Sequence, residues 1–179
     1  MSRLAPLPPE QMTEKQRSIH DLVASTRKGK IGGPFSVWFR VPELADPANF
    51  LHNAFRLTGA LDRRLFELLI LLVAHEYGAR YVWTHHVGQA LKAGLARATI
   101  DAIAAGQPPA FAQADEKPIY EVVRELLASK TLSGAAYDKA LSVFGEALLI
   151  EIVTAVGFYS MVSLVVNSFD VDPPGAANS

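Results

Sequence analysis

Two residues capable of proton transfer flank a glycine near the middle of the chain. Glu67 lies 11 residues before Gly78, and His86 lies 8 residues after it. If both stretches are helical, a rise of about 1.5 Å per residue puts the two side chains roughly 12–17 Å from the turn, at nearly the same level of a hairpin. A carboxylate and an imidazole that meet there can pass a proton. Glu67 and His86 are therefore the predicted catalytic pair. The alternative is a buried Glu–His link that only fixes the hairpin.

Four neighbours of this pair are predicted to bind a substrate. Tyr81 and Trp83 have amphipathic rings suited to the wall of a cavity or an interface, although Trp83 also fits core packing. His85 adjoins His86 and follows Tyr81 by four residues, so it could line the same pocket or face another subunit. Arg80 belongs to a group of arginines near the hairpin ends, any of which could hold a carboxylate bidentately or form a salt bridge in water. The group comprises Arg56, Arg63, Arg64 and Arg80.

The remaining histidines do not predict a metal site. His75 shares roughly the face of Glu67 but lies two turns away, and it begins His-Glu-Tyr-Gly-Ala, which is not the two-histidine spacing of zinc proteases. The adjacent His85 and His86 are poorly placed to chelate one ion from a helix. His20 and His52 carry no pattern and receive no predicted role.

Composition excludes several classes of function. The 179 residues are half hydrophobic, carry a net charge of −1 and include no cysteine. Disulfides, thiolate nucleophiles and iron–sulfur clusters are therefore excluded. The one basic run, Arg27-Lys-Gly-Lys30, is too short for an expected nucleic-acid or membrane partner. The proline-rich N-terminus does not resemble a signal peptide, and a cytoplasmic location is expected.

Turn and capping signals predict an all-α chain with a single domain over residues 1–179. Thr13 and Gln16 form a capping box, and Asp46-Pro47 is typical of a helix start. Residues 1–12 are expected to be an extended arm, 107–117 a linker between two helical halves, and 170–179 a flexible tail. Helices are predicted over residues 13–26, 35–40, 46–57, 61–78, 79–93, 98–105, 118–129, 133–143, 145–156 and 158–168.

A shift of 79 residues suggests that one hairpin is duplicated. The shift aligns Glu67 with Glu146 and Gly78 with Gly157, and apolar residues match between them. Val165 then stands where the first copy has His86. We therefore expect two pseudo-repeated helical hairpins, of which only the first retains polar chemistry; chance similarity between apolar helices is the alternative.

The residues around the first hairpin resemble the carboxymuconolactone decarboxylase family, whose superfamily includes alkylhydroperoxidase D. The matching pattern begins with Glu-Leu-Leu-Ile-Leu-x-Val-Ala at Glu67 and continues with Gly-Ala-x-Tyr-x-Trp-x-x-His, which ends at His86. Ala-Leu-x-Ala-Gly-Leu and Ile-Asp-Ala-Ile follow. The resemblance covers residues 33–105 specifically and 119–174 more loosely. It implies an alkylhydroperoxidase D-like helical fold and a homo-oligomer, either a dimer, a trimer or a hexamer.

The two branches of the superfamily imply different activities. In the peroxidase branch a Cys-x-x-Cys pair precedes the histidine, and here Ala79 and Val82 occupy the two cysteine positions. Peroxide reduction in that branch needs a thiolate to attack and a second thiol to resolve, so peroxidase activity is not expected.

The decarboxylase branch implies a cofactor-independent lyase acting on a small carboxylated lactone or a related anion. In this hypothesis His86 is the acid, Glu67 orients it, and a nearby arginine holds the carboxylate. A non-catalytic protein for helical assembly or ligand binding is the remaining alternative.

Overall fold

The computed structural model describes residues 2–26 and 31–175, and within these ranges every regular element is helical. The predicted basic loop Arg27–Lys30 lies outside them, as do Met1 and residues 176–179. The all-α prediction is confirmed for the described residues. The α-helices are α1 (Glu14–Thr26), α2 (Pro34–Trp38), α3 (Pro42–Asn53), α4 (Arg63–Glu76), α5 (Arg80–Lys92), α6 (Arg97–Ala104), α7 (Glu116–Ser129) and α8 (Gly134–Ser168).

The predicted hairpin of α4 and α5 forms the centre of the fold. Asp62 begins α4, because its side chain accepts hydrogen bonds from the backbone N–H groups of Arg64 at 3.0 Å and Leu65 at 3.4 Å. Every residue of α4 from Arg64 to Ala74 is buried, and the helix packs against α5, α7 and α8. Gly78 makes the turn with φ 57°, a conformation that favours glycine. This central position removes the hairpin's inner residues from water.

Local signals predicted the first helix well and the third less well. The capping box is present, since Gln16 N–H donates to Thr13 Oγ1 at 3.3 Å and Thr13 N–H donates to Gln16 Oε1 at 2.9 Å. The helix expected to start at Asp46 instead begins at Pro42, and Pro47 lies inside it. Pro42 is a favourable first residue and accounts for the earlier start. Pro47 has no N–H to donate, so α3 lacks one backbone hydrogen bond there.

A π-helix, Ala54–Thr58, continues directly from α3. The sequence pattern predicted ordinary helix here. π-Helical turns are rare, and they occur frequently at functional sites. This one carries Phe55, which is buried in the core, and Arg56, which is only half-buried.

The second half of the fold differs from the expected second hairpin. Gly157 makes no turn: its φ is not positive, and α8 continues through it to Ser168. A sharp kink occurs instead at Gly145, with φ 71° and ψ 169°, where the sequence indicated a helix boundary. Glycine is tolerated in a helix interior, so the match between Gly78 and Gly157 did not predict the same backbone conformation.

Gly145→Ala is expected to lower the free energy of unfolding by about 1–3 kcal/mol, because the kink conformation is essentially restricted to glycine. Gly88→Ala is the matched control. Gly88 is exposed within α5, and an added Cβ there would have no heavy atom within 4 Å. The control should be neutral or stabilising by up to about 1 kcal/mol. Urea denaturation of both variants measures the difference, and equal effects would show that the kink is not required.

The linker and the chain ends contact the helical body. Residues 105–115 join α6 to α7, close to the predicted linker at 107–117. At the N-terminus, residues 9–11 form one 3-10 turn within the arm that was expected to be extended. Arg3 hydrogen-bonds to Asp170 at 2.6 Å, and the Ser2 N–H donates to Asp172 at 3.2 Å. The arm therefore lies beside residues 170–172 of the tail, whose flexibility remains a prediction.

Helix α8 is long and apolar enough to cross a membrane by length and composition alone, but half of its most apolar window is buried inside the protein. Burial of this kind is also found in the core helices of soluble proteins.

Candidate active site

Glu67 and His86 meet inside the α4–α5 hairpin. The Nδ1 atom of His86 lies 2.7 Å from Oε2 of Glu67. Glu67 is fully buried and His86 is 6% exposed. The predicted juxtaposition of these two residues is therefore present in the structure.

The buried carboxylate also has a cationic neighbour. Arg63, one helical turn before Glu67, forms an ion pair with Glu67 Oε1. The geometry of this contact is not that of a hydrogen bond. Arg63 is partly exposed at the surface, whereas Glu67 has no contact with solvent. Burying an isolated carboxylate is costly, and this second partner offsets part of that cost.

The contact with Glu67 determines which nitrogen of His86 can react. An ionised carboxylate only accepts hydrogen bonds, so Nδ1 carries the hydrogen and Glu67 fixes the ring orientation. Nε2 is then the nitrogen that exchanges a proton with a bound molecule. Neutral His86 can act as a base through Nε2, and protonated His86 can act as an acid there.

A cavity of about 260 Å³ adjoins His86. It lies between α5, α8, the start of α2 and the end of α3. Its polar wall comprises His52, Arg56, Tyr81, His85, His86 and Tyr159, and its apolar wall comprises Ile31, Gly32, Pro34, Phe35, Trp38, Val82, Phe158, Val162 and Pro174. Small-molecule sites are typically concave, mostly apolar and equipped with a few polar groups, and this cavity has that character.

Aromatic rings hold the two histidines of the cavity. The Tyr159 ring meets His86 edge to face, with centroids 5.6 Å apart and an angle of 90°. Tyr81 stacks on His85 at 6.2 Å and 11°. A Cβ on Gly33 would lie 2.6 Å from the Tyr81 ring, so only glycine permits this close approach. The cavity wall is therefore built from closely packed rings.

Arg56 brings a positive charge to the cavity wall. It comes from the middle of the π-helix and lies one helical turn after His52, which lines the same wall. Burial lowers the pKa of Arg56, and the nearby Arg63 lowers it further, while Tyr159 and Glu67 oppose the shift. No hydrogen bond or salt bridge joins Arg56 to another residue in the ranges 2–26 and 31–175.

The structure brings together some of the predicted substrate-binding residues and separates others. Tyr81 and His85 line the cavity with His86. Trp83 does not: it lines a separate cleft with His75, at a ring distance of 6.3 Å. Arg80 also lies outside the cavity, beside clefts at the α4–α5 turn.

Three residues of the cavity wall were missed or left unresolved by the sequence. Arg56 was one of four arginine candidates, while His52 and Tyr159 were given no role. The four-residue spacing of His52 and Arg56 places them on one helix face, which is a usable signal once an anion site is suspected. Tyr159 lies in the apolar run of α8, where nothing distinguishes it from a core residue.

The structure also shows the surroundings of Ala79 and Val82, the two residues at the positions where the peroxidase branch has cysteines. Ala79 is buried beside the turn, and Val82 is buried in the cavity wall next to His86. The site thus keeps the Glu–His pair of the peroxidase branch and has aliphatic side chains where that branch has thiols. No group of three or more potential metal ligands occurs among the described residues.

A known protein family matches the part of the chain that contains Glu67 and His86. Residues 43–125, which include α4, α5 and α6, match the model of the carboxymuconolactone decarboxylase family. The resemblance to this family that the sequence predicted is therefore confirmed over these residues. The matched segment, like the rest of the chain, contains no cysteine.

Two solved structures are similar to this chain in fold. A protein of unknown function from Agrobacterium tumefaciens, named for the antioxidant defence protein AhpD, is similar with a TM-score of 0.68 and 18% identity, over 77% of this chain and 95% of the other. An uncharacterized peroxidase-related protein from Silicibacter sp. TM1040 has a TM-score of 0.72 and 14% identity, over 97% and 89% of the two chains. These likenesses show a shared alkylhydroperoxidase D-like helical fold. No curated protein matches the chain in sequence.

Proposed function

We propose that this protein is a cofactor-independent lyase that acts on a small carboxylated lactone or a related anion by proton transfer. The observation that carries the proposal is the Glu67-bound His86 in the wall of a mostly apolar cavity. A Glu–His pair that only fixed the hairpin would not need an adjoining cavity.

The proposed reaction is the loss of CO₂ from a carboxylate next to an unsaturated lactone. The bond between the carboxylate carbon and the ring breaks, CO₂ leaves, and the electron pair delocalises into the lactone as a dienolate. Protonated His86 then donates its Nε2 proton to carbon, and the imidazole regains a proton from solvent. Glu67 keeps the ring oriented and stabilises the imidazolium.

A peroxidase activity is the less favoured alternative. The Glu–His pair alone supports it, and no thiol is present to attack a peroxide. A thiol-dependent peroxide assay should show no turnover above that of the buffer.

An ultraviolet assay of carboxymuconolactone turnover tests the lyase proposal. Purified protein without added cofactor is expected to consume the substrate and release one CO₂ per molecule. Related carboxylated lactones extend the panel, because the proposal covers this class of substrate. If folded protein leaves the whole panel unchanged, the lyase proposal is wrong and a non-catalytic role in assembly or ligand binding is favoured.

We further propose that the protein is a cytoplasmic homo-oligomer. Helix α8 presents an exposed stripe with alternating spacings of three and four residues, the pattern by which helices pair. Large apolar side chains share this stripe with small residues that would allow close approach. The stripe consists of Ala147, Ile150, Thr154, Gly157, Met161 and Leu164.

Met161→Glu should weaken this association, because a buried charge without a partner is costly at an apolar interface. Light scattering after size-exclusion chromatography is expected to give a smaller mass than the wild type. Thr131→Glu, at an exposed loop position, is the control and should leave the mass unchanged. A wild-type protein that is monomeric would contradict the proposal.

A further inference from the structure

The cavity contains a cation that the proton-transfer pair does not use. Arg56 projects from the π-helix into the same cavity as His86, and the described residues supply it with neither a hydrogen bond nor a salt bridge. Arginine is always charged in proteins, so removing it partly from water without an anion in direct contact is unfavourable. A ligand that supplies the anion would relieve this cost.

The charges around the pair favour an anionic ligand. Arg56 and Arg63 contribute two positive charges near the single negative charge of Glu67, and Arg63 already pairs with Glu67. The mutual repulsion of the two arginines lowers the pKa of Arg56 in addition to burial. With His86 neutral, this group carries a net charge of +1, since two cations face one anion.

The walls of the cavity restrict the rest of the ligand. Aromatic side chains cover much of the surface around Arg56, and such faces favour a flat ring. The volume of about 260 Å³ suits a small molecule rather than a chain or a macromolecule. A guanidinium presents two parallel N–H donors, which match the two oxygens of a carboxylate. The aromatic residues of the wall are Phe35, Trp38, Tyr81, Phe158 and Tyr159.

We propose that Arg56 is the specificity-determining residue of this cavity and binds the carboxylate of a single-ring ligand, whose ring lies against the aromatic wall beside His86. This inference rests on the proposed function for the identity of the reacting group, but it concerns binding and can be tested without turnover. It also selects Arg56 from the four arginines that the sequence left open.

Unreactive probes separate charge from shape. Benzoate has the ring and the carboxylate, benzamide has nearly the same shape without the charge, and acetate has the charge without the ring. Isothermal titration calorimetry with the full chain should show benzoate binding at least about tenfold more tightly than either of the other two, as expected for hydrogen bonds to a charged group.

Two variants of Arg56 then test whether this residue causes the preference for benzoate over benzamide. Arg56→Met should lose the tenfold preference of benzoate over benzamide, and Arg56→Lys should retain part of it, because lysine keeps the charge but not the two-pronged geometry. Arg97→Met is the matched control, since Arg97 pairs with Asp101 at the surface and lies outside the cavity. It should bind all three probes as the wild type does.

The two tryptophans provide an independent signal. Trp38 lines the cavity and Trp83 does not, so in a Trp83→Phe background all tryptophan fluorescence comes from Trp38. Benzoate should change that fluorescence, and Arg56→Met should remove the change at the same concentration. Circular dichroism of each variant establishes that it is folded.

The outcomes distinguish this inference from the proposed function. Loss of benzoate selectivity in Arg56→Met supports the inference even if no lactone is turned over, in which case only the lyase proposal fails. Absence of benzoate selectivity in the wild type, or its survival in Arg56→Met, overturns the inference. Lactone turnover with an unchanged KM in Arg56→Met would likewise overturn it while leaving the lyase proposal intact.

Discussion

His86→Gln is expected to reduce kcat/KM for the lactone by about 10²- to 10⁴-fold, the range typical of a lost general acid. Glutamine keeps much of the size and hydrogen-bonding capacity of histidine, but it cannot donate a proton from an ionisable ring. This substitution tests the proton-transfer role directly, because His86 both contacts Glu67 and lies in the cavity wall. Steady-state kinetics in the ultraviolet assay measure the loss.

His75→Gln is the matched control for this experiment. His75 occupies a separate cleft with Trp83, away from the cavity, and the substitution is chemically identical. Its kcat/KM should stay within about twofold of the wild type. If His86→Gln is as active as His75→Gln while the wild type turns over the lactone, another residue delivers the proton.

Glu67→Gln addresses the positioning role separately. The amide can still accept a hydrogen bond from His86, but it no longer stabilises an imidazolium by its charge. A reduced kcat with little change in KM would show that Glu67 acts through His86 rather than on the bound molecule. The pH dependence of kcat should also change, because the ionisable partner of His86 is removed.

The sequence predicted that Glu67 and His86 meet in the α4–α5 hairpin, because that arrangement depends on local geometry. Helical rise and the glycine turn fix the level at which Glu67 and His86 meet, and both quantities follow from the positions of three residues. The capping signal of Asp62 fixed the start of α4 in the same way. These features need no knowledge of the other helices.

The face of α5 that lines the cavity was harder to predict from the sequence. At about 100° per residue, Tyr81, Val82, His85 and His86 fall within an arc of roughly 140°, and this arc lines the cavity. Trp83 and Arg80 lie about 60° and 120° beyond the His86 edge of that arc. Which arc faces a cavity depends on where α8 and α2 pack, and that information is not contained in α5.

The long-range parts of the site had no reliable local signal. Arg56 reaches the cavity from a π-helix, which the periodicity of an ordinary helix does not predict. Tyr159 joins the site because α8 continues straight through Gly157, where a turn was expected. A glycine can occupy either conformation, and only the packing of the surrounding helices determines which one it adopts.

A different buried charge should have the largest effect on stability. Arg64→Met is expected to lower the free energy of unfolding by about 3–5 kcal/mol, as is typical when one partner of a buried ion pair is removed. Arg64 is buried and donates to Glu116 Oε1 at 2.8 Å and to Asp115 Oδ2 at 2.7 Å. Burial lowers the pKa of Arg64, but the hydrogen bonds and charges of these two carboxylates outweigh it, so the net shift is upward.

The cost arises from the carboxylate that the substitution leaves behind. Glu116 is fully buried, and its Oε2 accepts from the backbone N–H of Ala112 at 3.1 Å and of Gln113 at 3.5 Å. It therefore joins the segment between α6 and α7 to α4. Asp115 is half exposed and can turn to water, whereas Glu116 would keep an uncompensated charge.

Urea denaturation of three variants tests whether the unpaired charge of Glu116, and not the loss of any arginine, causes the loss of stability. Arg97→Met removes an exposed salt bridge and should cost roughly 0.5 kcal/mol or less. Arg64→Met with Glu116→Gln should be more stable than Arg64→Met alone, because the buried charge is then absent. If the double variant is instead less stable than the single one, the two backbone hydrogen bonds of Glu116 are enough to stabilise its charge without Arg64, and the ion pair is not what holds the linker to α4.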